Sequence, residues 1–357
     1  MSVAPLRVAV LGAGTVGAAV VRALTDPARP FATAGGPPLE LVGIAVRDVE
    51  AAIGRGLPAD LLTDAPAHLV ADPATDVIVE LMGGDEPART LVAAALGGGK
   101  PVVTANKHVI AHHGPELEAL ARRTGAPLRF EASVGGGIPV LGPLAGDLAA
   151  NRVKAVRGIL NGTTNHILTA MERDGRDYAE ALAEAQARGY AEADPAADVE
   201  GTDAVNKLVI LARLAFGVWL DPAVVATIAP PGAPGAGRPG ITGVTSGDVA
   251  LAIADGAVVK LIAAAERRGQ RGQGEAIHAS VLPARVAADS PLGRTGGVLN
   301  RVEIDAEPVG MVAFEGPGAG GPATSSAVLG DLLAIGREAG STWAGLPPAG
   351  RAFAVAR

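Results

Sequence analysis

Two side chains of opposite charge open a stretch that is otherwise apolar. In DVEGTDAVNKLVILARLAF, Asp198 to Phe216, helical spacing puts Asp203 and Lys207 one turn apart on the same face, with Thr202 placed as N-cap. Val205, Leu208, Val209, Ile210, Leu211, Leu214 and Phe216 wrap most of the circumference that follows, so this helix is expected to be buried on nearly all sides. A lysine on a buried helix is usually in chemical use; the other reading is an i,i+4 ion pair in a first turn that still reaches water. Just ahead, Glu192, Asp194, Asp198 and Glu200 gather in a loop. Such carboxylates suit a small ligand carrying an ammonium group and repel a phosphate or a nucleic acid.

A second candidate lies at the other end of the chain. RVAVLGAGTVGAAVVRAL has an apolar strand from Arg7 to Leu11, then Gly12-Ala13-Gly14-Thr15-Val16-Gly17, then a helical pattern through Leu24. The glycines permit a tight turn, a close approach to a pyrophosphate and close packing of helix on strand, and the helix N-terminus adds N–H donors. This is the dinucleotide fingerprint in the context it requires, against the alternative of a turn that serves packing alone.

These residues need elements to carry them. A second strand, LELVGIAVRD, ends at Arg47 and Asp48, where an acid grips ribose hydroxyls and an arginine meets a 2′-phosphate. Arg47 comes first, which favours NADP(H) over NAD(H); Arg47 as a solvated strand-end residue is the alternative. The Pro/Gly-rich LTDPARPFATAGGPPL, Leu24 to Leu39, reads as an inserted loop. Strand, helix, strand continues through DVIVELMGGDEPART and GGGKPVVTANKHVIAHHG, with Lys107 just past a strand's carboxyl end, where an open parallel sheet binds ligands, or else a solvated lysine at a helix start. His112 and His113 show no acidic or histidine partner at ligand spacing, so a metal there is not expected. In APLRFEASVGGGIPVLGPL a strand reaches Phe130, then come Glu131 and Gly135-Gly136-Gly137. That backbone could aim several carbonyls at one point, beside the Glu131 carboxylate, and suit a hard cation, or it could be a hinge.

From about Asn151 the pattern changes. NRVKAVRGILNGTTNHILTAM is a strand, an Asn161-to-Asn165 turn and a helix; DYAEALAEAQARGYAEA is an amphipathic helix expected to run to Tyr190. Later segments suggest helix and strand pieces of a mixed sheet, then two strands, a glycine-rich turn at Gly316 to Gly321 and a helix from about Pro322. That helix could return to the nucleotide domain and bring Gly318 and Gly320 to the cofactor; a turn without a ligand is the alternative.

Bulk properties bound the rest. A chain of 357 residues, 48% hydrophobic, suggests two domains, and no run of about 18 apolar residues offers a membrane span. A net charge of −7 with no basic block gives a nucleic-acid partner no electrostatic support. Cysteine is absent, which removes disulfides and thiolate chemistry. The start MSVAPLRVAVLG lacks the charged and apolar regions of a signal peptide, so a cytoplasmic location is expected.

Taken in order, GAGTVG, TANK, FEASVGGGIP, ILNGTTNHIL, AEADPAADVEGTDAVNKL, GITGVT and GPGAGGPATSSAV resemble the homoserine dehydrogenase family over nearly the whole chain. The resemblance implies an α/β fold: a Rossmann-type nucleotide-binding domain over 1–138, an α+β substrate-binding and dimerisation domain over 139–315, and a segment, 316–357, returning to the nucleotide domain. It implies NAD(P)H-dependent reduction of L-aspartate 4-semialdehyde to L-homoserine, a step of threonine and methionine biosynthesis, by a homodimer. By the same resemblance Lys207 is the catalytic lysine and Asp203 its partner. Glu192 binds the substrate amino group with Asp198 alongside, and Lys107 lies close to cofactor and substrate. Glu131 with the backbone of Val134, Gly136 and Ile138 matches a sodium site. Only STWAGLPPAGRAFAVAR follows the last helix, so a short form without the C-terminal ACT domain is expected. Aspartate semialdehyde dehydrogenase chemistry is excluded because it needs a cysteine. A diaminopimelate-type dehydrogenase would share the nucleotide half without the Lys207 segment, and a regulator that only senses NADPH would show no turnover.

Overall fold

A computed structural model of the chain describes residues 4–26, 36–270 and 273–350. The insertion expected between Leu24 and Leu39 falls mostly outside them, at 27–35. The chain divides into two compact units, Met1–Gly146 with Ala319–Pro348, and Asp147–Gly318 with Ala349–Arg357.

The first unit alternates strand and helix. It runs β1 (Leu6–Leu11), α1 (Thr15–Thr25), β2 (Leu39–Ala45), α2 (Val49–Gly54), β3 (Leu62–Thr63), α3 (Pro66–Ala71) and β4 (Val77–Glu80). Then follow α4 (Ala88–Gly97), β5 (Val102–Thr104), α5 (Lys107–Thr124), β6 (Leu128–Arg129) and α6 (Leu141–Ala145). The strands pair in parallel in the order β3-β2-β1-β4-β5-β6, the Rossmann arrangement. Their sequences read as near-continuous apolar runs because helices cover both faces: Val8, Val10, Val77, Val79 and Val103 are wholly buried in one core. The order reverses between β1 and β4, and the carboxyl ends of those strands open a crevice there.

Expected from sequence to come back to this unit, the last helix, α13 (Gly321–Gly336 in the full chain order), does so and packs on α1. A Cβ on Gly321 would stand 2.8 Å from the Thr15 carbonyl oxygen, so only glycine allows that approach. The segment behind the helix closes the free edge of the sheet. Thr342 N donates to Leu128 O at 3.0 Å, Phe130 N to Thr342 Oγ1 at 3.0 Å, and Trp343 lies against the Phe130 ring. Asp331, buried in the helix, receives Arg129 Nε at 2.7 Å and the Glu131 N–H at 2.8 Å, which pins the start of the glycine loop beyond β6.

The second unit is built on β7 (Arg152–Ile159), β8 (Ala257–Gln270), β9 (Gln273–Ala287), β10 (Leu299–Glu307) and β11 (Gly310–Pro317), in the order β11-β10-β7-β8-β9. Each neighbouring pair is antiparallel, where the sequence suggests a mixed sheet. For two of the pairs the reason is connection length: β8 and β9, and β10 and β11, are too few residues apart in sequence for a parallel crossover. The helices are α7 (Gly162–Asp174), α8 (Tyr178–Ala187), α9 (Ala196–Val199), α10 (Thr202–Phe216), α11 (Ser246–Ala254) and α12 (Pro291–Arg294); α7 and α10 pack on the sheet. Helix α8 stops short of Tyr190 because Gly189, at φ +72°, turns the chain left-handed.

Lys260, in the middle of β8, is only 1% exposed, with Nζ 3.3 Å from Asn165 Oδ1 and 4.0 Å from Glu172 Oε2. Burial holds its pKa below that of an ordinary lysine, and Glu172 opposes the shift. Between the lowered and the ordinary value the unfolded chain carries the proton and the folded one does not, so stability rises with pH across that window. Lys260→Met removes this component. The urea midpoint of the parent therefore gains on that of the variant as pH rises toward the ordinary lysine value of about 10; midpoints that stay parallel would contradict it.

Candidate active site

At the crevice of the first unit lies a cavity of about 940 Å³, with Gly12, Ala13 and Gly14 on one wall and Leu81 to Gly84 on another. Gly12 sits at φ +96°, and a Cβ there would meet the Leu81 carbonyl oxygen at 2.7 Å. Gly17 is tighter: its Cβ would lie 2.0 Å from Gly12 O, so the turn closes only without a side chain. Gly14 plays a different part, since a Cβ there would touch nothing within 4 Å, leaving room on the cavity side. Thr15 and Val16 begin α1, whose N-terminus has no side-chain cap and so keeps its N–H donors for an anion.

Arg47 is exposed on the same cavity, at the end of β2. Its neighbour Asp48 accepts the Ala51 N–H at 2.9 Å as N-cap of α2, which turns the acid toward the helix. Arg55, at the other end of α2, also lines the cavity. Sequence reading misses it because its approach depends on the length of α2.

Glu80, at the end of β4, is wholly buried and was likewise hidden in an apolar run. It accepts the Thr104 hydroxyl at 2.6 Å and the Met82 N–H at 2.8 Å, while burial pushes its carboxyl above the usual range. Asn106 donates to Gly84 O at 2.9 Å and caps α5 through Val109 N at 3.1 Å. These contacts lash the loops after β4 and β5 together and set Lys107 as the first residue of α5, partly exposed. His113 does have an acidic partner, Asp85 at 2.7 Å, supplied by the loop after β4. Among the described residues no group of three or more His, Cys, Asp or Glu could hold a metal ion.

The glycine loop after β6 differs from expectation in one respect. The Glu131 carboxylate is taken up by backbone donors, Val140 N at 2.7 Å, Leu141 N at 2.8 Å and Gly142 N at 2.7 Å, at the start of α6. Burial raises its pKa and these amides oppose the rise. The loop's main-chain oxygens are another matter: Val134, Gly136 and Ile138 are buried residues along the glycine turn. Of the later glycines, Gly318 lies against Asn300, where a Cβ would come within 2.1 Å, and Gly320, at φ +107°, is the N-cap of α13.

In the second unit, α10 is buried along nearly its whole length. Its N-cap is Gly201 at φ +90°, with Thr202 the first helical residue, so the hydroxyl expected to cap does not. The left-handed turn makes room, since a Cβ on Gly201 would press on Val281 at 3.2 Å. Lys207 is 7% exposed and Asp203 5%. Lys207 Nζ donates to Asp203 Oδ2 at 2.7 Å and to the Leu160 carbonyl at 2.6 Å. The ammonium is thus buried, paired and aimed from two sides, which sets aside the reading of a solvated ion pair. Asn161 Nδ2 donates to Asp203 Oδ2 at 2.9 Å and Asp198 Oδ1 at 2.7 Å, joining the acid from α9 to the pair on α10. Glu192 is exposed in the loop, and its main-chain oxygen accepts Gln186 Nε2 at 3.1 Å. The loop is tied down by Thr163 Oγ1, which donates to Tyr190 O at 2.8 Å.

A Rossmann sheet with a glycine turn at its switch point has the build of a dinucleotide-binding domain, of the class used by nicotinamide-dependent oxidoreductases, and the second unit carries a buried, paired lysine. Comparison with known proteins narrows the class. A family model for homoserine dehydrogenase matches residues 139–333, and one for the homoserine dehydrogenase NAD binding domain matches residues 12–131. The homoserine dehydrogenase of Mycobacterium tuberculosis is 46% identical over 94% of this chain and 73% of its own length; that of Synechocystis is 42% identical over 92% and 73%. Among solved structures, a homoserine dehydrogenase from Thiobacillus denitrificans superposes with a TM-score of 0.87 at 37% identity, covering 99% of this chain and 79% of that one. A hyperthermophilic archaeal homoserine dehydrogenase in complex with NADPH gives 0.75 at 28%, covering 94% and 98%. The chain belongs to the homoserine dehydrogenase family, and its activity is that of an NAD(P)-dependent homoserine dehydrogenase.

Proposed function

We propose that the chain reduces L-aspartate 4-semialdehyde to L-homoserine with NADPH in preference to NADH, and that Lys207 is the proton donor. One observation carries this reading: a nearly buried ammonium held between Asp203 and the Leu160 carbonyl. Bound reduced nicotinamide supplies hydride to the aldehyde carbon. Negative charge then builds on the carbonyl oxygen, and Lys207 stabilises it and passes it a proton. Asp203 orients the ammonium. Glu192, with Asp198 alongside, holds the substrate's amino group, and Lys107, placed by the Asn106 cap, serves both cofactor and substrate.

The turn Gly12-Ala13-Gly14-Thr15-Val16-Gly17 would hold the pyrophosphate, and Gly320 supports it from the start of α13. Gly318, already filled by Asn300, acts through packing. Preference for NADP(H) rests on Arg47 and Arg55 sharing the cavity wall while Asp48 caps α2. Either arginine changed to Ala raises the KM for NADPH roughly tenfold and leaves that for NADH near its parental value, by the usual strength of a charge-assisted phosphate contact. Equal effects on both cofactors in steady-state assays would count against the assignment.

Sodium would be held by the carbonyls of Val134, Gly136 and Ile138 together with the main chain of Glu131, an all-oxygen set of the kind a hard cation takes. The Glu131 carboxylate shapes the loop instead. A homodimer through the second unit is supported by the half-buried apolar side chains of its sheet, among them Ile262 and Leu282, which line an open groove of about 430 Å³. A cytoplasmic site of action agrees with threonine and methionine biosynthesis. The test is product analysis: homoserine formed from aspartate semialdehyde and NADPH supports the reading, and NADPH bound without turnover refutes it.

A further inference from the structure

Asn161 does more than its place before a helix requires. It is 5% exposed, and its amide is engaged on both sides. Oδ1 accepts the Thr164 N–H at 2.8 Å and caps α7. Nδ2 donates to Asp198 Oδ1 at 2.7 Å and to Asp203 Oδ2 at 2.9 Å. The neighbours fix this orientation: turned over, the amide would set its oxygen against two carboxylates and its NH2 against a backbone N–H.

Two carboxylates gathered at one point repel, and each takes up a proton more readily unless donors hold its charge. Among the donors here are the Asn161 amide and the Lys207 ammonium, which share one oxygen, Asp203 Oδ2. An Asp203 that gained a proton would lose its grip on Lys207. A cap alone needs only an oxygen facing Thr164, which aspartate and serine provide about as well as asparagine.

We propose that Asn161 is a positioning residue for proton transfer: by donating to Asp198 and Asp203 together it fixes the two carboxylates in place, and through Asp203 it keeps Lys207 aimed. This rests on the reading of Lys207 as proton donor.

Two substitutions separate the charge role from the cap. Asn161→Asp retains the cap and replaces the shared donor by a third acid; Asn161→Ser retains the cap without adding charge or reaching the carboxylates. Both are expected to fold with a lowered melting temperature, because two carboxylates lose their shared donor, and to bind NADPH within about twofold, while reductive kcat falls about tenfold or more, the low end of the effect of a misplaced general acid. In Asn161→Asp the acidic limb of the kcat–pH profile also moves to higher pH, as a third carboxylate competes for the same donors. Should that variant not fold, the kcat of Asn161→Ser decides. Folded variants with kcat within twofold of the parent would overturn the proposal, and so would a lower kcat in Asn161→Asp with the limb unmoved. Lys207→Met measured in parallel tells the two failures apart. If it turns over normally, the reading of the site is at fault; if it is slow and the Asn161 variants are not, only this inference falls.

Discussion

Lys207→Met lowers reductive turnover by about two powers of ten or more, the scale expected for a lost general acid, and leaves NADPH affinity nearly unchanged. The side chains are close in length, so the substitution opens little space on a helix buried almost throughout. What disappears is the ammonium, and with it the bonds to Asp203 and Leu160. Asp203 keeps the Asn161 amide, so the acid is not abandoned in the core. NADPH binding is spared because the glycine turn and both arginines belong to the other compact unit. Turnover assays paired with equilibrium binding of NADPH check both halves of this expectation.

The converse result is expected from Gly17→Ala. Its Cβ would stand 2.0 Å from Gly12 O and 2.9 Å from Gly12 C, both backbone atoms that no rotamer change can move aside. The turn must open, which shifts the first N–H groups of α1 from the place where a pyrophosphate meets them. NADPH affinity should fall by about tenfold or more, a modest fraction of what a phosphate site contributes. The Lys207–Asp203 pair is untouched by the change, so at saturating NADPH kcat should recover much of its value. Calorimetric titration with NADPH measures the loss, and an affinity equal to the parent's would contradict the role given to the turn.

These two sites differ in how far sequence reveals them, and the cause is distance along the chain. The glycine turn is legible because strand, turn and helix are consecutive, and Gly12 and Gly17 answer demands on the backbone within the turn. Asp203 and Lys207 are legible for the same reason, being one helical turn apart. Their partners are not: Leu160 precedes Lys207 by 47 positions and Asn161 precedes Asp203 by 42, and only the packing of α7, α9 and α10 joins them. Asn161 does show its capping half in sequence, as an Asn ahead of a helix, and conceals its bond to two acids.

Other departures are local competitions that a pattern cannot settle. Thr202 and Gly201 both suit a helix start, and the close approach of Val281 selects the glycine. Glu131 stands beside a glycine loop expected from sequence to hold a cation with it, yet its carboxylate finds backbone N–H groups at α6 first. Glu80 and Lys260 are charges inside apolar strands, where sequence reads only the strand.

A single-turnover experiment on Lys207→Arg tests the central claim most directly. Arginine retains the positive charge but does not release a proton at any working pH, so it separates electrostatic help from proton donation. The variant, preloaded with NADPH, is mixed rapidly with aspartate semialdehyde, and loss of the reduced-nicotinamide absorbance is followed. A rate about a hundredfold or more below the parent, similar to that of Lys207→Met, is the result predicted. A rate near the parent's would show that charge alone suffices and that Lys207 is not the proton donor.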